Sequence, residues 1–262
     1  MHEFVSVVIP VYTNAPTLCE LHRRLTAVLE QTTDRYEILF VDDACPANSI
    51  TVLRELNARD AHVGVLRLAH NVGQNRAVLT GLAHARGDVA VVMDADLQDP
   101  PEAIPALLAA LTGDVAAVFA GRRGVYEGRQ QLVTSWLFKH LLYLLSGRRI
   151  PPDAGLFVAI RRQMITRLLA FDIPQPYVVG LIGRTRLSLR SIPVLRHANH
   201  ERTSGYTTWK RLALAWRALR QMLPAWTFAG KSGTVHRPVI CEQLDVRFGS
   251  RIAEEDAAIW VA

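Results

Sequence analysis

A chain of 262 residues, half of them hydrophobic, can bury a large core, which excludes disorder over most of its length. Three scattered cysteines, Cys19, Cys45 and Cys241, form no CxxC pair and no Cys/His spacing; this excludes a disulfide framework and a zinc site and points to a reducing cytoplasmic setting. The net charge of +6 is concentrated, with nine Lys or Arg against one acid, Glu201, between Arg184 and Arg220, a local excess that favours an anionic partner.

The opening stretch MHEFVSVVIP enters a strand-like run without a basic region and long apolar segment, which argues against a signal peptide. No run of about 18 apolar residues occurs that would span a membrane. Continuous β-branched runs at 4–11, 36–43, 62–68 and 87–96 predict strands covered on both faces of a parallel sheet. Between them, Leu18, Leu21, Leu25 and Val28, then Ile50, Leu53 and Leu56, then Val78, Leu82 and Ala85 repeat at helical spacing. Strand alternating with helix gives βαβ units, hence an α/β sandwich with a mostly parallel sheet. Ligands of such sheets sit beyond the C-terminal strand ends, so 10–14, 42–45, 71–74 and 94–98 are expected along one rim.

Beyond Gly121 the pattern loosens. An amphipathic helix is predicted over 131–147, a strand over 154–160, a helix over 161–171 and a strand over 190–196. In the following basic stretch, Trp209, Leu212, Trp216, Leu219 and Leu223 fall near one helical face, with Lys210, Arg211, Arg217 and Arg220 around the other sides. That pattern suits a helix lying in a membrane interface as well as one packed on the domain. The expected organisation is a catalytic domain over 1–205, this amphipathic helix over 206–230, and a tail over 231–262 whose end loosely resembles the first coil of a hexapeptide-repeat β-helix.

The rim carries the chemistry. Asp94 and Asp96, one residue apart at a strand end, repel each other unless a cation or several donors compensate, and oxygen ligands of this kind suit Mg²⁺ or Mn²⁺ bridging to phosphates. Gln98 follows as a third ligand candidate, while Asp99 with Pro100 and Pro101 turns the chain into the next helix. Asp42 and Asp43 end another strand, where a carboxylate can accept hydrogen bonds from a nucleobase N–H or ribose hydroxyls. The first turn, PVYTNAP, has neither GxGxxG nor GxxxxGK, which lowers the dinucleotide and P-loop alternatives.

VSVVIPVYTN, EILFVDDACP, NVGQNRAVLTGLAHARGD and VVMDADLQDPPEAIP, in this order, resemble the successive signatures of family 2 glycosyltransferases of GT-A fold, a Rossmann-like three-layer sandwich. DADLQDPPE with the downstream basic segment is most similar to the polyprenyl-phosphate glycosyltransferases, the dolichol-phosphate mannose synthase and undecaprenyl-phosphate group. The resemblance implies that Pro10, Tyr12, Asp42 and Asp43 help hold the base and ribose of a nucleotide-diphosphate sugar, and that Asp94, Asp96 and Gln98 carry Mg²⁺ or Mn²⁺ and through it the diphosphate. Arg122, Arg123 and Arg129 are its candidates for facing the phosphates, and Asp153 for orienting or deprotonating the acceptor. The family's late motif reads Arg, two residues, Gly, one residue, then Ser-Lys-Tyr; NHERTSGYTTWK departs from it, with Arg202 as the matching phosphate ligand.

The reaction so implied is an inverting transfer to a polyprenyl phosphate by an enzyme peripheral to the inner face of the cell membrane. A sugar hydroxyl of a surface polysaccharide or glycolipid is the alternative acceptor, and a sugar-phosphate nucleotidyltransferase, which expects a glycine-rich basic first loop, the alternative of another class. No nucleic-acid recognition module accompanies the basic residues, and a homo-oligomer stays open.

Overall fold

The computed structural model describes residues 3–123, 150–195 and 238–247. β1 (Val5–Val11) is followed by α1 (Leu18–Thr32), β2 (Tyr36–Asp42), α2 (Ser49–Arg59), β3 (Val63–Leu68), α3 (Gln74–His84) and β4 (Val89–Val92). Next come α4 (Ile104–Ala109), β5 (Val115–Arg123), β6 (Val158–Arg161), α5 (Arg162–Leu169), α6 (Val178–Arg184), β7 (Ser188–Leu195) and β8 (Ile240–Leu244).

The strands form one sheet in the order β7-β5-β6-β4-β1-β2-β3-β8. β1 pairs in parallel with β2 and β4, β2 with β3, and β5 with β7, whereas β6 runs antiparallel to both β4 and β5, and β8 antiparallel to β3. β1, β2 and β4 are buried along their whole length, which is why they read as unbroken apolar runs rather than alternations. Two cores result. Val5, Val7 and Ile9 of β1 pack with Leu18, Leu21, Leu25 and Leu29 of α1, with α2 and with α4; Val8 and Val41 pack on the other face with α3, α5 and α6. Helix, sheet and helix thus make the three layers expected. The chain runs β1, β2, β3 in one direction across the sheet, then crosses back to place β4 on the other side of β1. The switch point therefore lies at the C-terminal ends of β1 and β4, where such sheets open a crevice.

Three elements differ from the sequence reading. β5 was not expected, because AAVFAG offers alanines of low strand propensity. α6 has two glycines in seven residues, a poor helical pattern, yet Val178, Val179, Leu181 and Ile182 are all buried. β8 lies within the stretch assigned to a separate tail; it pairs with β3, and Arg54 of α2 clamps its Glu242 with two hydrogen bonds at 2.7 and 2.6 Å, so Ile240–Leu244 belongs to the sheet. The amphipathic helix predicted over 131–147, the basic helix over 206–230 and residues 248–262 lie outside the described residues. Among the described residues no helix is long and apolar enough to cross a membrane.

Candidate active site

A cavity of about 410 Å³ opens at the switch point, lined by Pro10 to Asn14 at and beyond the end of β1, Asp43 after β2, Asn71, Gly73 and Gln74 at the start of α3, and Asp94 to Asp96 after β4. Four loops separate in sequence meet here, as the rim argument expects. The loops are held in conformations that most L-residues avoid: Thr13, Ala44 and Leu97 have φ of 62°, 51° and 61°. Strain of this kind persists only where surroundings over-determine it, and it clusters at functional sites. The Thr13 amide donates to Cys45 Sγ at 3.2 Å, and Thr17 Oγ1 donates to Ala95 O at 2.5 Å, tying the β1 loop to those after β2 and β4. Leu97 inserts its side chain toward the core, which fixes the turn behind Asp96. Since Ala44 holds a left-handed conformation that glycine adopts freely, Ala44→Gly is expected to stabilise the chain by about 0.5–1 kcal/mol in urea denaturation.

The two adjacent aspartates divide. Asp42 is the last residue of β2 and shares the α1/α2 face with Arg67, its register partner on β3. Only 1% exposed, it accepts the Cys45 amide at 3.1 Å, lies 3.6 Å from Arg67 Nε, and does not line the cavity. Asp43, one residue on, lines the cavity, and its two carboxylate oxygens accept the Val72 and Gly73 amides at 2.7 and 2.9 Å. Each oxygen keeps a further lone pair for a ligand. Burial pushes both carboxyls above the usual carboxylate range, outweighing the backbone N–H donors that favour ionisation.

Pro10, Tyr12, Asp94 and Asp96 all line the cavity, and Tyr12 is 45% exposed there. Gln98 does not; its main-chain N–H donates to Asp96 Oδ1 at 3.1 Å because the left-handed turn at Leu97 folds the backbone toward that carboxylate. Asp153 also lies off this cavity. Its carboxylate packs against Gly121, where a Cβ would overlap it, and both oxygens accept Ser191 Oγ at 3.1 Å. Arg122 and Arg123 are the last two residues of β5, which ends at the same rim; Arg129 and Arg202 lie outside the described residues.

Among the described residues no three His, Cys, Asp or Glu side chains form a cage able to hold a metal alone. Asp94 and Asp96 nevertheless present hard oxygen donors to an open cavity, the donor set that Mg²⁺ or Mn²⁺ uses when phosphates and water complete its shell. The residues fit such an ion held jointly with a diphosphate. The 71–74 loop was placed on the rim without a role, since neither Asn71 nor Gln74 carries a charge that would mark it. In the structure Gln74 Nε2 donates to Asp94 Oδ1 at 2.6 Å.

Residues 6–169 match the family model described as glycosyl transferase family 2. The chain belongs to this family. It is 32% identical over 211 residues to the uncharacterized glycosyltransferase YkcC of Bacillus subtilis, covering 79% of this chain and 64% of that protein. Over the same number of residues it is also 32% identical to the undecaprenyl-phosphate 4-deoxy-4-formamido-L-arabinose transferase of Sodalis glossinidius, covering 80% of this chain and 65% of that one. The match thus spans just under two thirds of either relative. Glucosyl-3-phosphoglycerate synthase of Mycobacterium tuberculosis, solved with Mn²⁺, UDP and glucosyl-3-phosphoglycerate, superposes with a TM-score of 0.64 over 94% of this chain and 91% of its own at 19% identity. The family 2 domain is therefore of GT-A fold.

Proposed function

We propose that the chain transfers a sugar from a nucleotide-diphosphate sugar to a polyprenyl phosphate, inverting the anomeric centre, with Mg²⁺ or Mn²⁺. The observation that carries this reading is the convergence of Asp43, Asp94 and Asp96 on one cavity at the switch point. A buried carboxylate, Asp43, suits the N–H and O–H donors of a nucleoside, and two half-buried carboxylates, Asp94 and Asp96, suit a metal-bound diphosphate. Its similarity to an undecaprenyl-phosphate transferase supports the acceptor class.

Tyr12, exposed in the cavity, would stack on the base, and Asp43, lining the same cavity, would accept hydrogen bonds from the nucleoside. Asp94 and Asp96 would hold the ion, which supplies positive charge for the departing diphosphate. A phosphate acceptor is already anionic and needs little general-base help, whereas a sugar hydroxyl would need a carboxylate to take its proton. Asp153, braced by Ser191, would then orient the acceptor rather than deprotonate it. The chain leaves β7 at Leu195, 75% exposed, and rejoins the sheet through Val239, 61% exposed, both at the rim end of their strands. The basic, tryptophan-bearing sequence between Arg184 and Arg220 supports an enzyme peripheral to the inner membrane face.

The test is transfer of radiolabelled sugar from UDP-, GDP- and dTDP-sugars into solvent-extractable lipid with undecaprenyl phosphate. Asp153→Asn is expected to retain activity within about tenfold on lipid phosphate, because general-base help there contributes less than its usual hundredfold or more. Loss of activity beyond that, with transfer to a hydroxyl acceptor in the native chain, would replace lipid phosphate by a hydroxyl.

A further inference from the structure

We infer that Gln74 is a positioning residue of the diphosphate clamp: its side-chain amide fixes the orientation in which Asp94 meets the metal ion. The inference rests on the metal-dependent reading above and names a residue outside the carboxylates themselves. Gln74 opens α3 directly after Gly73, whose φ of 86° lets the chain turn into the helix with its backbone against the cavity. A Cβ at Gly73 would meet nothing within 4 Å, so the glycine serves conformation and not packing.

The base of α3 is anchored on two sides. Behind Gln74, the Val72 and Gly73 amides are held by Asp43, at the end of β2. Ahead of it, Asn75 Oδ1 accepts the Val178 amide at 2.9 Å, and the Arg76 guanidinium donates to the Ile173 and Pro174 carbonyls at 2.5 and 2.7 Å. With its neighbours bound to β2 on one side and to the 173–178 segment on the other, the first turn of α3 cannot retreat from the cavity. The exposed Gln74 side chain spans from that fixed turn to Asp94 Oδ1, at 2.6 Å.

The chemistry explains why the residue there is a neutral donor. Asp94 and Asp96 must stay ionised and close together, and an amide N–H stabilises one carboxylate oxygen without adding a charge that would compete with the ion, as a lysine would. A carboxylate held by such a partner is pre-oriented, and loss of outer partners of metal ligands typically weakens metal affinity about 10–100-fold. Because Gln74 is exposed and its anchors lie in its neighbours, its side chain can be changed without opening the core.

The experiment uses the full chain and Mn²⁺ as probe. Free Mn²⁺ is followed by electron paramagnetic resonance in the presence of UDP, GDP or dTDP in turn, and nucleotide affinity is measured separately in EDTA. Gln74→Met, which keeps the bulk but donates nothing, is expected to raise the half-saturating Mn²⁺ concentration about tenfold or more while leaving the EDTA affinity and the melting temperature unchanged. Gln74→Ala should match it. Native Mn²⁺ affinity in Gln74→Met, or a loss confined to Gln74→Ala, would show that only bulk matters and overturn the inference. Failure of the native chain to take up Mn²⁺ with any of the nucleotides would instead overturn the metal-dependent reading itself.

Discussion

Asp96→Asn is expected to lower kcat/KM by about 10³-fold, the equivalent of roughly 4 kcal/mol of lost charge stabilisation on the diphosphate. The change removes one of two carboxylates that face the cavity from the end of β4, and with it the negative charge that makes the site a cation site. Stability should barely move, since Asn retains an oxygen for the Gln98 N–H and the residue is only half-buried. Steady-state rates over a wide Mn²⁺ range check the first statement and thermal melting the second. Native kcat/KM in this variant would remove Asp96 from the site.

The second large effect separates the neighbouring aspartates. Asp43→Ala is expected to weaken nucleotide binding about 30-fold or more, as loss of a buried charged acceptor typically costs 2–5 kcal/mol. Asp42→Asn should leave nucleotide affinity within about twofold, less than 0.5 kcal/mol. Its signature is in stability. Burial raises the folded-state pKa of Asp42, and one of its buried oxygens has no hydrogen-bond partner among the described residues. The protonated form is therefore the better tolerated one. What Asp42 contributes is fully present below its unfolded pKa and is lost as pH rises through the folded value. Asn does not titrate, so the stability of Asp42→Asn relative to the native chain should rise from pH 3 to pH 7. Urea midpoints across that range measure it, and a flat or falling difference would contradict the burial argument. Exchange of the two phenotypes would return the nucleoside contact to Asp42.

The same pair shows how far the sequence could be read. The doublet announced an acidic strand end, but which member faces the ligand depends on where β2 stops, and the strand's period of two reverses the answer with a shift of one residue. The strands β1 to β4 were legible because each is buried on both faces and reads as a largely continuous apolar run. β5 and α6 were not, because alanine and glycine carry little propensity of their own and take their conformation from the burial that surrounds them. β8 was hidden by distance: its pairing with β3 and the Arg54–Glu242 link join residues far apart in sequence with nothing local to mark either. At the site, Asp94 and Asp96 were visible as charge out of place, whereas Gln74 became visible only through its hydrogen bond to Asp94. Gln98 drew attention by its position after the acidic pair, but the turn at Leu97 presents its backbone to Asp96.

The central claim, a nucleotide-sugar site whose affinity depends on a divalent ion, is tested most directly by calorimetric titration of the full chain with UDP-, GDP- and dTDP-sugars, in Mn²⁺ and in EDTA. Binding of one nucleotide class, weakened about tenfold or more in EDTA, is the expected result. A folded chain that binds none of them, or binds one equally well without the metal, would contradict it.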